Sequence, residues 1–215
     1  EYDWESQIEN ILRTFSITYK NDKNDLGEIM EQKIPMIGIA TCILYFITVG
    51  LFLITKTELS LTMWELFTII GAPVILFVLL ALSNLLEISA ICKNAMLVFM
   101  SCACSLTGAA HIVNITVTRR LISEGMNVPN FFRIGYWPSV EMAVDYLAWG
   151  FFVGLAFCCI GFSIHSKDKQ KILIKRLVIV CGILCLFGFL GTIFINENVW
   201  YMAPMGYGFG TIAKI

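Results

Sequence analysis

Glu65, Glu141 and Asp145 stand inside runs apolar enough to cross a bilayer, and His111 and Asn114 stand in another. Ionisable groups in a span are expensive to insert, so they mark ion, proton or substrate sites by default. Glu141, Asp145 and Trp149 recur at intervals of four, which puts two carboxylates and an indole on one helix face. Thr107, His111, Asn114 and Thr118 make a polar stripe on the preceding run by the same spacing. An imidazole level with a carboxylate can take up and release a proton near neutral pH, where histidine changes charge. Asp145 is the acid least able to reach water, because its side chain is short and a charge at mid-membrane costs about 2.5 to 3.5 kcal/mol. Glu65 and Glu141 lie nearer their helix ends and have a plainer reading as interfacial acids, with Arg119, Arg120 or Arg133 as partners for Glu141. For His111 and Asp145 the plainer reading is a structural interhelical hydrogen bond.

The elements that carry these residues follow from composition. A chain of 215 residues that is 58% hydrophobic and 14% charged is not an ordinary soluble domain. Runs of the roughly 20 residues needed to cross hydrocarbon occur at 34–54, 61–86, 94–117, 139–164 and 177–195. A sixth stretch, 199–213, is short and has Gly206, Gly208 and Gly210 after Pro204, so it reads as a truncated or re-entrant helix. The expected fold is an all-α polytopic bundle over residues 34–215. Residues 1–33 are expected to form a cytoplasmic amphipathic helix, with Trp4, Ile8, Ile11, Leu12 and Phe15 on one side, and a linker rich in Asn and Asp. The first residues show no secretory signal layout.

Lysine and arginine favour cytoplasmic loops. Lys20, Lys23 and Lys33, then Lys93, then Lys167, Lys169, Lys171, Lys175 and Arg176 fall on one side, which places the amino terminus inside. Trp64, Trp137, Trp200 and Tyr201 then mark the outer boundary, where amphipathic rings sit at headgroup level. At about 1.5 Å per residue, His111 and Asp145 both lie roughly 9 to 10 Å below the outer surface, with Glu65, Glu141 and Asn114 a little shallower. Arg119 and Arg120 are expected to cap this layer from above. The loop 123–136, with Gly125, Pro129, Phe131, Phe132 and Gly135, is long enough to fold over the mouth. Ser101, Ser105 and Gly108 make a small-residue row fit for close helix approach.

Several chemistries are excluded. The two histidines, His111 and His165, face opposite sides, which rules out a three-histidine zinc site and a bis-histidine haem. His111 with two carboxylates remains a conceivable metal set, but no metal or cofactor is indicated. No lysine lies within a span for a Schiff base. The eight cysteines lie in or beside spans and read as packing residues. Asn114-Ile115-Thr116 matches a glycosylation sequon inside a span and is read as accidental. The residues therefore point to an outward-facing intramembrane pocket for a cation, proton or small polar solute, built on Asp145, His111, Glu141, Asn114, Trp149, Glu65, Arg119 and Arg120. The alternatives are a membrane-embedded enzyme acting on a lipid or isoprenoid by His/carboxylate chemistry, and an accessory subunit of a membrane complex. Membrane lipids and a second copy or another membrane subunit are the expected partners; nucleic acid is not.

Overall fold

The computed structural model describes Lys33, residues 36–134 and residues 136–212, without the side chains of 208, 209, 211 and 212. The amphipathic helix and linker expected over 1–33 lie outside the described residues, Lys33 apart, as does Gly135. Among the described residues the chain is all-α. Five helices are long and apolar enough to span a membrane: α1 (Met36–Thr55), α2 (Glu58–Leu85), α3 (Ala90–Ser123), α4 (Val140–Ser163) and α5 (Lys169–Phe194). A sixth, α6 (Met202–Ile212), follows a 3-10 turn at Glu197–Tyr201.

Short polar signals begin these helices. Thr57 and Ser60 form a reciprocal capping box at the start of α2, and Glu58 adds a favourable negative charge in its first turn. Ser89, Ser139 and Asp168 cap α3, α4 and α5, each accepting a backbone N–H two or three residues on. Lys56 and Glu87 take positive φ values of 50° and 53° in the tight turns on either side of α2.

Consecutive helices pack on one another: α2 on α3, α3 on α4, α4 on α5 and α5 on α6. The core between α2, α3, α4 and α5 is built from Leu79, Met96, Met100, Ile160 and Val178, all fully buried. Gly182 lets α5 close on α4, where an added Cβ would stand 2.9 Å from Gly154 O and 2.6 Å from Cys158 Sγ. Gly206 does the same for α6, whose Cβ position is 2.9 Å from Cys181 O. The glycines of the sixth stretch thus bring a half-length helix against the middle of α5.

Three expectations change. The third helix does not end near Val117 but continues to Ser123 through a π-helical segment at Asn114–Thr118. Arg119 and Arg120 end the apolar run without ending the helix, since arginine is a good helix former. The fourth helix carries a second π-helical segment at Leu147–Phe152. Finally, Ser101 and Ser105 are exposed and Gly108 meets open space, so among the described residues that small-residue row is not covered by another helix of the bundle.

Candidate functional site

At the end of the bundle where α1 meets α2 and α3 meets α4, polar side chains from several helices converge. Glu65 on α2 is 1% exposed, and His111 and Asn114 on α3 are 4% exposed. Burying a carboxylate costs several kcal/mol unless it is paired and hydrogen-bonded. Arg119 Nη1 donates to Glu65 Oε2 at 2.9 Å, and Asn114 Nδ2 donates to Glu65 Oε1. The same guanidinium donates through Nη2 to Glu58 Oε2 at 2.6 Å, to Thr62 Oγ1 at 2.8 Å and to the Glu58 carbonyl at 2.9 Å. Arg119 therefore joins an exposed acid at the rim to a buried one beneath it. Its fixed fork of donors suits this bridging better than an ammonium would.

His111 lies on the other side of Glu65. Its Nδ1 is 3.7 Å from Glu65 Oε1, and its Nε2 is 3.7 Å from Asp145 Oδ1. Both distances exceed a normal hydrogen bond, and Nδ1 has no hydrogen-bond partner among the described residues. The ring stands midway between two acids on opposite edges. For that reason the three groups do not point at one metal-sized position, and no cluster of three or more His, Cys, Asp or Glu side chains suited to a metal is found among the described residues.

Asp145 is less confined than Glu65. It accepts a long 3.4 Å bond from Thr107 Oγ1, and its side chain is 19% exposed. Trp149, one turn further along α4, adjoins the same carboxyl and meets Tyr207 of α6 edge to face, with ring centroids 5.7 Å apart. Tyr45 of α1 and Tyr207 both lie within electrostatic reach of Asp145. Tyr45 accepts a hydrogen bond from Trp64 Nε1 at 3.1 Å. Glu141 sits apart from these groups. Its Oε1 accepts from Thr118 Oγ1 at 2.9 Å, and its Oε2 has no hydrogen-bond partner among the described residues.

The structure thus brings together Glu65, His111, Asn114, Arg119, Asp145 and Trp149, with Glu141 one turn away. It does not bring Arg120, which points outward and pairs with Glu124 at 3.0 Å in an exposed i, i+4 contact. Adjacent residues on a helix diverge by about 100°, so once Arg119 turns inward Arg120 cannot. Nor is Glu141 an interfacial acid paired with an arginine: it is buried and bonded to a threonine. Arg119 does not sit above the layer but takes part in it. The loop after α3 is anchored beside Glu141, because Thr118 Oγ1 also lies 3.3 Å from the Phe132 carbonyl.

Sequence reasoning missed Glu58, Thr62, Tyr45 and Tyr207. Tyr45 was legible from Gly38, Thr41, Tyr45 and Thr48, which recur at helical spacing on α1. Tyr207 was not legible, because its place depends on how a glycine-rich half-helix packs on α5. The two π-helical segments were missed as well. One begins at Asn114 and the other lies two residues after Asp145, and such segments recur at functional sites because they re-aim side chains. Comparison of this chain with family models, curated proteins and solved structures gave no match.

Proposed function

We propose that the protein binds and relays a proton, or a small cation in its place, at an intramembrane site centred on His111 and Asp145. One observation carries this reading: a buried imidazole holds each of its nitrogens 3.7 Å from a carboxylate oxygen, Glu65 on one side and Asp145 on the other. A neutral imidazole has one N–H and one lone pair, so a proton accepted at one nitrogen allows another to leave from the opposite one. From its midway position the ring needs to approach either acid by roughly half an ångström to make a hydrogen bond. Glu65 is pinned by Arg119 and Asn114, whereas Asp145 has weaker bonds and partial exposure. Exchange with the exterior therefore runs through Asp145, and Glu65 holds the charge that steadies the ring.

Charge balance supports the same reading. Arg119 is shared between Glu58 and Glu65, while among the described residues Asp145 has only His111 and Glu141 has no basic side chain within ion-pair distance. A proton or small cation completes the balance. On this reading the end of the bundle that holds the site faces outside and the amino terminus lies in the cytoplasm, in keeping with the distribution of lysine and arginine.

Proteoliposomes with an entrapped pH-sensitive dye and an imposed potassium diffusion potential test the proposal. Wild-type vesicles should acidify faster than empty ones, and His111→Phe and Asp145→Asn should each slow that rate roughly tenfold or more. Arg120→Gln should leave it unchanged. Wild-type vesicles no leakier to protons or sodium than empty ones would refute the relay. Unaltered flux in His111→Phe would remove His111 from it.

A further inference from the structure

At the opposite end of the bundle a groove of about 450 Å³ opens between the α2–α3 turn and the α4–α5 connection. Leu86, Cys92 and Phe162 give it an apolar wall, and Phe162, at the end of a membrane span, is 61% exposed. Ser89, Ser163, Ser166, His165 and Lys171 line the rest together with Glu87. An apolar wall at span level beneath a polar, basic rim is the surface that a lipid presents in complement.

We propose that this groove binds an anionic phospholipid, its phosphate against Lys171 and the hydroxyl-bearing rim, its acyl chain along Phe162. Lys171 is the basic group free to serve it, having neither a hydrogen bond nor an ion pair among the described residues. It is the lysine that lines the groove, whereas two others at this end are engaged elsewhere: Lys175 Nζ donates to the Ile164 carbonyl at 2.9 Å, and Lys93 Nζ donates to Asn84 Oδ1 at 2.5 Å. The segment 167–176 carries five basic residues against the single acid Asp168, so the field over the groove is positive. Asp168 is itself occupied as the cap of α5, accepting from Gln170 N at 3.0 Å.

The helix ends do not tip that field: α3 and α5 start at this level, but α2 and α4 end at it, and their partial charges of opposite sign offset one another. The rim is also held in shape: Ser89 N–H donates to Ser163 Oγ at 3.1 Å, and the His165 ring donates through Nδ1 to the Ser163 carbonyl at 2.8 Å. Glu87, exposed on the same rim, sets a limit on the negative charge the groove tolerates. It favours one phosphodiester over a polyphosphorylated headgroup. Basic pockets between helix ends on the cytoplasmic side are a general means of holding such headgroups.

Native mass spectrometry of the purified protein in neutral detergent, titrated with short-chain phosphatidylglycerol, phosphatidylcholine and inorganic phosphate, tests this. Phosphatidylglycerol should bind about fivefold more tightly than phosphatidylcholine, and Lys171→Gln should remove about that factor. Lys56→Gln, at the other end of the bundle, should change it less than about twofold. Equal binding of the two lipids, or an unchanged preference in Lys171→Gln, would overturn the proposal. Displacement of the lipid by millimolar inorganic phosphate alone would reassign the groove to a free anion. Should Lys171→Gln fail to fold, a photoreactive phosphatidylglycerol on the wild type reads the same contact. Crosslinks within residues 162–171 support the site, and crosslinks confined elsewhere overturn it.

Discussion

The two halves of the bundle are held together by different physics. Between α4, α5 and α6 the helices touch through glycine: Gly154 and Gly182 oppose each other, and Gly206 seats α6 on the Cys181 carbonyl. Between α2 and α3 the conspicuous contacts are charged, with Arg119 gripping Glu58 and Glu65 across the interface. α1 is scarcely enclosed, with 11% of its span buried against 39% for α4 and α5. In lipid no hydrophobic force draws helices together, so close packing and polar contacts are the means available. The glycine-packed half gives Asp145, Trp149 and Tyr207 a fixed wall. The charged half sets Glu65, His111 and Arg119 beside it.

The largest expected effect of breaking that contrast is at Arg119. Arg119→Ala leaves Glu65 buried without its counter-charge and should destabilise the protein by about 3 to 5 kcal/mol. Adding Glu65→Gln should restore much of the loss, which chemical unfolding in detergent would measure as a double-mutant coupling. An uncoupled pair would mean that the two charges do not hold α2 to α3. Next is Gly182→Ala, which puts a methyl 2.9 Å from Gly154 O, a backbone atom that cannot swing aside. About 1 to 3 kcal/mol should be lost by overpacking. The matched change Gly108→Ala, facing open space, should gain up to about 1 kcal/mol from helix propensity. The smallest effect belongs to Arg120→Gln, whose exposed partner Glu124 makes the pair worth less than about 1 kcal/mol. Thermal melts of Gly182→Ala, Gly108→Ala and Arg120→Gln side by side would rank them.

Much of the fold was legible because hydropathy and length decide it. All five spanning helices are readable from apolar runs, and a short sixth from its glycines. The acids were legible for the same reason, since a carboxylate such as Asp145 stands out inside a span. Helical spacing also put Glu141, Asp145 and Trp149 on one side of α4. What spacing could not supply was the end of α3. The apolar run stops at Val117 because two arginines follow, yet the helix goes on to Ser123 and Arg119 turns in to pair with Glu58 and Glu65 on another helix. Pairing partners distant in sequence leave no local trace. The outward turn of Arg120 and the threonine bond of Glu141 depend on the same tertiary information. Tyr207 required the docking of α6, which rests on close contacts that the glycine content alone does not locate.

The central claim is that His111 and Asp145 are kept as a proton or cation site at some expense of stability, and not as a structural bond. Melting temperatures of wild type, Asp145→Asn and His111→Ala in one mild detergent, at neutral and acidic pH, address it most directly. Functional residues are commonly retained against stability. Asp145→Asn should therefore melt at or above the wild-type temperature. If both variants instead melt several degrees lower and the wild type also weakens on acidification, the pair is a structural bond and the proposed site loses its basis.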